Sequence, residues 1–350
     1  MIATPPPPLK PLPPSLRASL PPERRGVRRD RVRLLVVDRR SGAVVHTRFD
    51  RIEELLCPGD LLVVNTSRVI PVAVRADRVS GEAVQLRPCV RRPGEWDALA
   101  VQAAPPFTNV PLAPGEMLQV GAASLRVLGR RPDIPLLWRL RLAGGGAADR
   151  ANGALDLLLR RGEPIRYSYV SEPVPLDGYQ TVYAGQPGSA EAPSAGRPFS
   201  WELLGRLRRR GVGLAEVLLH TGLSSYQDDD FDREHHLFEE WFEVGPAAVE
   251  AVGRARRVVA VGTTVVRALE SAADADGRLA PARGLTRLAI GPDRPPRVPD
   301  ALLTGLHEPQ ASHFDLLRAF LPESLLRRAY SEAVDRGYLW HEFGDSALIL

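Results

Sequence analysis

The chain has 350 residues, 44% hydrophobic and 25% charged, with a formal net charge of +4. That length suits two domains, or one large domain with an insertion, and the composition excludes a wholly disordered chain. Cys57 and Cys89 are the only cysteines, which excludes a disulfide scaffold and any zinc-type cysteine spacing. No run of about 18 apolar residues is present, and the Pro-rich start lacks the basic and apolar parts of a signal peptide. A cytoplasmic protein without a membrane span is expected. Lys10 is the only lysine, so the positive charge is almost all arginine, whose planar fork suits phosphate and carboxylate partners.

Residues 1–22 read as an extended, poorly ordered Pro-rich tail. Arg24, Arg25, Arg28, Arg29, Arg31 and Arg33 form a basic run ahead of an apolar strand at 34–37, which pairs as a hairpin with 44–47. A short helix at 52–56 and a turn at 57–60 lead into a buried strand at 61–65. From Pro71 to about Leu142, short strands at 83–86, 96–101, 117–120, 124–128 and 136–142 recur between Gly and Pro turns. That texture predicts a small antiparallel barrel or sandwich. After Asp149 the pattern becomes α/β. Helices are expected at 155–161, 201–210 (capped by Ser200 and Gly211), 247–255, 264–273, 314–320 and 322–335. Strands are expected at 215–220, 258–261, 285–290 and 301–303. The fold class is therefore α/β (α+β). A large α/β domain, residues 23–71 and 149–350, is interrupted by a small antiparallel β-barrel at 72–148.

Several segments carry residue types suited to chemistry. An apolar strand at 258–261 runs into Gly262, and then Thr263 and Thr264 open a helix. Free N–H groups and the dipole at such a start favour an anion, although an ordinary capped helix reads the same way. The stretch is neither a Walker loop nor a dinucleotide fingerprint. Arg267 and Glu270, one turn apart, are placed to pair. His220 and His307 each follow a strand end, the edge where open α/β sheets bind ligands, and each could act as acid or base or serve structure alone. Asp228, Asp229, Asp230, Asp232, Glu234, His235 and His236 have metal-ligand types, but their order fits neither an EF-hand nor a zinc motif. A solvated acidic loop is the favoured reading, and no metal is expected. Tyr179-Gln180-Thr181-Val182-Tyr183-Ala184 reads as a polar-aromatic strand and loop whose tyrosines could stack on bases.

Taken together and in order, residues 33–39, 58–65, 67–71, 179–184, 192–196 with Phe199, His220 with Gly222-Leu223, Glu240-Trp241, 262–271, 300–302, His307 with Pro309, and 344–349 resemble the S-adenosylmethionine:tRNA ribosyltransferase-isomerase family of queuosine biosynthesis. The likeness spans residues 13–350 and implies an α/β domain interrupted by a small barrel. It implies S-adenosylmethionine as co-substrate and a tRNA anticodon loop as partner, with a monomeric enzyme expected. Its ribosyl part would pass to 7-aminomethyl-7-deazaguanine in the tRNA and isomerise to an epoxycyclopentane, giving epoxyqueuosine and releasing adenine and methionine. A sulfonium acidifies the neighbouring C5′ proton, so a base can start the reaction, and adenine leaves better once protonated. On this likeness His220 or His307 is the acid/base group, and Gly262, Thr263, Thr264 and Arg267 hold the co-substrate. Asn65, Ser67, Arg68, Tyr179, Gln180, Tyr183, Ser194 and Phe199 face the nucleic-acid substrate, whose unpaired bases are read by aromatic and polar edges.

Departures fall in loops. The family's Gly-Leu-His-Phe is Gly196-Arg197-Pro198-Phe199 here, and its second His, three residues after His235, is Phe238. Gly-Thr-Phe becomes Ser224-Ser225-Tyr226, and Asn-Phe-His-Leu-Pro becomes Gly305-Leu306-His307-Glu308-Pro309. Asn-Asp-Thr-Arg becomes Asn65-Thr66-Ser67-Arg68, and a Tyr-Pro-Gly-Tyr stretch is replaced around Gly291-Pro292-Asp293-Arg294. Two alternatives therefore stand beside the family reaction. One is a divergent enzyme of the same fold that consumes S-adenosylmethionine with a small-molecule acceptor, and the other is a non-catalytic RNA-binding relative.

Overall fold

Strand β3 (Asp60–Asn65) is buried along its whole length, as the run Leu61-Leu62-Val63-Val64 requires of a strand covered on both faces. This is seen in a computed structural model that describes residues 10–92, 94–144, 147–223, 226–227, 239–307 and 312–350. Asp60 fixes the start of the strand. Its buried carboxylate takes the Cys57 N–H at 2.8 Å and guanidinium N–H groups of Arg256 at 3.2 Å and Arg257 at 2.5 Å. Strand β3 lies between β13 (Gly213–Leu219) and β15 (Arg257–Val261), with β17 (Ala301–Gly305) next to β15. These four strands are parallel, so their carboxyl ends share one edge.

The sheet extends to nine strands. Beyond β17 come β18 (Ser346–Ile349), β1 (Arg33–Val37) and β2 (Val44–Arg48), and on the other side β14 (Glu240–Val244) and β16 (Ala282–Thr286). Alternation decides what covers each face. Leu61 and Val63 join a core with residues of helices α3 (Pro246–Arg254), α4 (Thr263–Ser271), α5 (Ser312–Arg318) and α6 (Glu323–Asp335). Leu62 and Val64 join the opposite core with Phe49, Ile52 and Phe199 and with Leu203 and Leu207 of α2 (Trp201–Arg209). Ser200 caps α2 by accepting the Leu203 N–H at 3.2 Å, and Gly211 follows its end at φ 80°, both as the sequence predicts.

The second sheet is antiparallel, with strands β5 (Ala73–Arg78), β6 (Ala83–Arg92), β7 (Glu95–Gln102), β10 (Leu137–Leu142), β9 (Ala123–Arg130) and β8 (Met117–Val120) adjacent in that order. Strand β8 also pairs with β5 at Asp77↔Gln119 and Arg78↔Leu118. Helix α1 (Ala147–Arg161) follows, then β11 (Gly162–Glu163), which pairs with β5. A Cβ at Gly162 would sit 1.8 Å from the Pro71 carbonyl oxygen, so only glycine lets the returning chain pass the point where it left the first sheet. A short parallel ribbon of β4 (Ser67–Val69) and β12 (Gln186–Ser189) lies between the two sheets in the chain path.

Three expectations need correction. Residues 10–22 are not a loose tail. Ala18 is buried, and main-chain bonds run from its N–H to the Trp340 carbonyl and from the Trp340 N–H to the Leu16 carbonyl. Residues 179–184 are not a strand, because Leu176–Tyr179 is a 3-10 turn and strand pairing begins only at Gln186. The strand expected at 285–290 is Ala282–Thr286, with Leu285 and Thr286 its last residues. The basic run is tied down: Arg24 pairs with Glu172, Arg28 with Asp30, Arg29 with Glu23, and Arg25 and Arg33 donate to the Phe343 and Arg336 carbonyls.

One buried arginine fastens the two sheets together. Arg131 donates to Asp97 at 3.1 Å, Asp133 at 2.6 Å and Glu239 at 2.8 Å, and Arg287 closes the set on Glu239 and Asp133. Burial opposes ionisation of Glu239, but the bonds from Arg131 and Arg287 outweigh it and hold the carboxyl down at about 2. Arg131→Met leaves Asp97 buried without this partner. It is expected to cost about 3–5 kcal/mol in urea unfolding. A loss below about 1 kcal/mol, the range of an exposed pair, would show that the network is peripheral.

Candidate active site

The carboxyl ends of β13, β3, β15 and β17 carry, in turn, His220, Asn65, Gly262 and the approach to His307. Asn65 is buried and joins three of them. Its Oδ1 accepts the N–H groups of Leu219 and Ser67, each at 3.0 Å, and its Nδ2 donates to the Leu219 carbonyl at 2.8 Å and the Thr264 hydroxyl at 3.2 Å.

His220 stands on the β13 side. Its Nδ1 lies 2.7 Å from the Ser67 hydroxyl, which also contacts the Ser189 hydroxyl at 2.6 Å. Ser189 in turn accepts the Thr221 N–H at 3.0 Å. The ring packs flat on the chain at Gly188, where an added Cβ would meet its atoms at 2.2–2.4 Å.

Gly262 takes φ 96°, which a side chain rarely adopts, to turn β15 into α4. Thr263 and Thr264 are half-buried at the first turn of the helix, where N–H groups lack intrahelical acceptors. Arg267 is not paired with Glu270, contrary to expectation. Glu270 instead accepts the Arg297 and Val298 N–H groups at 2.7 and 2.8 Å. Arg267 donates through Nε to the Leu288 carbonyl at 2.9 Å and through Nη1 to Glu240, while its buried Nη2 meets no acceptor among the described residues. The other Glu240 oxygen accepts the Gly222 N–H at 2.7 Å.

On the β17 side, His307 turns back over Gly305. A Cβ there would lie 3.4 Å from its Nε2 and 4.0 Å from the Ser194 hydroxyl. The turn Ser194–Gly196 also meets Gly262, whose Cβ would lie 3.3 Å from that of Ala195. Beside this turn is a cavity of about 10 Å³, room for roughly one water, with Ser194, Gly305, His341 and Glu342 in its wall. Burial pushes the Glu342 carboxyl up to about 7, and the Tyr169 hydroxyl donates to it.

The structure therefore brings together Asn65, Ser67, Ser194, His220, Gly262, Thr263, Thr264, Arg267 and His307. It does not bring in the aromatic group. Phe199 is wholly buried, edge-on to Phe49 at 4.9 Å. Tyr183 is buried with its hydroxyl against Gly196, where burial raises its pKa. Tyr179 packs on Phe343 at 5.1 Å, and burial pushes its hydroxyl up to about 12. Gln180 grips both sides of the Val69 peptide unit, at 3.1 and 2.9 Å, and so holds β4 in place. Arg68 is exposed beside Ser67. Sequence reasoning missed Ser189 and Glu342, and it gave no role to Gly188 or Glu240. Nothing local marks these residues; a glycine and a serine in Gln-Pro-Gly-Ser read as a turn. Ser224, Ser225, the acidic stretch 228–236, Phe238, Glu308 and Pro309 lie outside the described residues.

A sequence model described as Queuosine biosynthesis protein matches residues 11–349. A protein of Thermus thermophilus named S-adenosylmethionine:tRNA ribosyltransferase-isomerase is 40% identical over 95% of this chain and 97% of its own length. One of the same name from Carboxydothermus hydrogenoformans is 37% identical over 97% of each chain. The crystal structure of S-adenosylmethionine tRNA ribosyltransferase from Thermotoga maritima superposes with a TM-score of 0.53 at 29% identity, covering 98% of this chain and 99% of that one. The chain is thus a mixed α/β member of a class of transferase-isomerase enzymes. It belongs to the queuosine biosynthesis protein family, whose named relatives are S-adenosylmethionine:tRNA ribosyltransferase-isomerases.

Two outcomes follow from the geometry. Ser67→Ala removes the hydroxyl that orients His220, and Gly188→Ala displaces the ring. Each is expected to lower turnover by about 10²-fold, the scale of a 1 Å misplacement. Thermal melting should change little by comparison, and unaltered turnover in both variants would remove His220 from the site. Glu342 has a folded pKa of about 7 against an ordinary 4.5. Its contribution is complete below 4.5 and is lost as pH rises through about 7. Glu342→Gln should therefore be more stable than the parent at pH 8, with the difference shrinking towards pH 4.5. Denaturant titrations at the two pH values test the sign.

Proposed function

We propose that this protein transfers and isomerises the ribosyl part of S-adenosylmethionine onto 7-aminomethyl-7-deazaguanine in a tRNA anticodon loop, giving epoxyqueuosine, adenine and methionine. The observation that carries this is the buried Nη2 of Arg267, which meets no acceptor among the described residues and belongs to the helix that begins at Thr263 after Gly262. A carboxylate is the ligand that donor set fits, because a planar guanidinium edge and helix N–H groups both favour it. Arg267 with the Thr263 and Thr264 amides then holds the methionine carboxylate. His220, oriented by Ser67, and His307, beside Ser194, are the groups that move protons: one is taken from C5′ and one is delivered to departing adenine. No metal takes part in this reading.

We further read residues 72–148 as an inserted barrel, supported by the β5–β8 pairing and by the return of the chain at Gly162 past Pro71. A cytoplasmic location accords with this function, and among the described residues no helix is long and apolar enough to cross a membrane. Gly305 and Pro198, where the family pattern has Asn and His, favour a second reading in which the acceptor is a small molecule.

The deciding experiment incubates the protein with S-adenosylmethionine and tRNA bearing 7-aminomethyl-7-deazaguanine, then digests the tRNA for mass spectrometry. The expected result is a nucleoside carrying an epoxycyclopentanediol, with adenine and methionine released in equal amounts. Adenine release with unmodified tRNA would move the assignment to the small-molecule acceptor. Neither product would end it.

A further inference from the structure

We propose that Glu240 is a positioning residue that aims Arg267 at the co-substrate carboxylate and ties the His220 loop to the same point. Two observations support this. The carboxylate is divided between two elements of the site: one oxygen takes the Gly222 N–H at 2.7 Å, just beyond His220, and the other takes Nη1 of Arg267 on α4. The guanidinium is also held on a second side, with Nε on the Leu288 carbonyl at 2.9 Å. With Nε and Nη1 both fixed, the planar group has one orientation, and the donor left over is the buried Nη2.

Glu240 and Arg267 have side chains only 12% and 13% exposed, so this is a largely desolvated pair rather than a surface contact. A buried donor without an acceptor is costly in a resting structure, and a charged ligand recovers that cost on binding. The strand register explains why Glu240 can do this. Glu240 shares a face of β14 with the core residues Phe242 and Val244, so its side chain is directed to α4, while the His220 N–H bonds the carbonyl of the next residue, Trp241, at 2.9 Å. One strand end thus sets the imidazole through its main chain and the guanidinium through its side chain.

The assignment rests on the reading of Arg267 as a carboxylate binder, so the test separates the two. Full-length parent, Glu240→Gln and Glu240→Asp are titrated with S-adenosylmethionine and with its decarboxylated analogue, which lacks only that carboxylate. The parent should prefer S-adenosylmethionine by about 10-fold or more, as a charge-assisted bond provides. Glu240→Gln should lose most of that preference by weakening S-adenosylmethionine alone, with Glu240→Asp intermediate. In turnover, KM for S-adenosylmethionine should rise while kcat changes far less. Should Glu240→Gln not fold, the Asp variant carries the same comparison. A parent that does not discriminate overturns the carboxylate reading, and this assignment with it. A discriminating parent and equally discriminating variants overturn the assignment alone. Equal weakening of both ligands together with lower melting temperature would mean a merely structural glutamate, and also overturns it.

Discussion

The Asn65 carboxamide uses both oxygen lone pairs and both N–H groups on buried or half-buried partners at the ends of three elements. It bonds both the N–H and the carbonyl of Leu219, beyond the last register pair of β3 and β13 at Asn65 and Val217. It also fixes the N–H of Ser67 and the hydroxyl of Thr264. Both His220, through Ser67, and the first turn of α4, through Thr264, therefore take their place from one side chain. Only a carboxamide has two donors and two acceptors in that plane. A carboxylate of the same shape would face the Leu219 carbonyl with no proton to offer, and a leucine would leave all four partners unmet in a water-poor site.

Arginine in this chain serves mainly as a strut. Arg24, Arg25, Arg28, Arg29 and Arg33 each hold a carboxylate or carbonyl of the fold, Arg131 joins the two sheets, and Arg197 bonds Glu23 at 2.8 Å and the Gly178 carbonyl at 2.7 Å. A count of positive charge overstates what is offered to a polyanion, because fixed and neutralised guanidinium groups displace few counterions. Arg68 is exposed next to Ser67, and Arg267, though held by Glu240 and the Leu288 carbonyl, keeps a buried Nη2 that meets no acceptor among the described residues.

The main sheet was legible wherever a short apolar run stood between turn residues, because a strand covered on both faces has to be largely apolar: 34–37, 61–65, 258–261 and 301–303 all lie in observed strands. Strand β14, one in from the edge and carrying the charged Glu240 and Glu243, and β18, placed by a long-range pairing with β1 and β17, give no such local signal. In the site, the glycine-to-helix transition and both strand-end histidines were readable from pattern. The tyrosines at 179 and 183 were misassigned because an aromatic ring in a polar stretch looks exposed, whereas distant residues Phe343 and Gly196 enclose them. The Ser67–Ser189–His220 chain spans more than 150 positions and has no expression in local order.

Glu240 and Glu342 show how the fold sets the field at this edge. Glu342 has a tyrosine hydroxyl as its partner, and burial pushes its carboxyl up to about 7, so near neutrality it is divided between its neutral and ionised forms. Glu240 bonds the Arg267 guanidinium through one oxygen and the Gly222 N–H through the other. Under the proposed function the ligand carries a sulfonium a few bonds from its carboxylate. The bond to Glu240 fixes the plane of the Arg267 guanidinium, and the N–H groups of Nη2 are left for that carboxylate, so the glutamate acts through the direction of donation rather than through a contact of its own with the ligand.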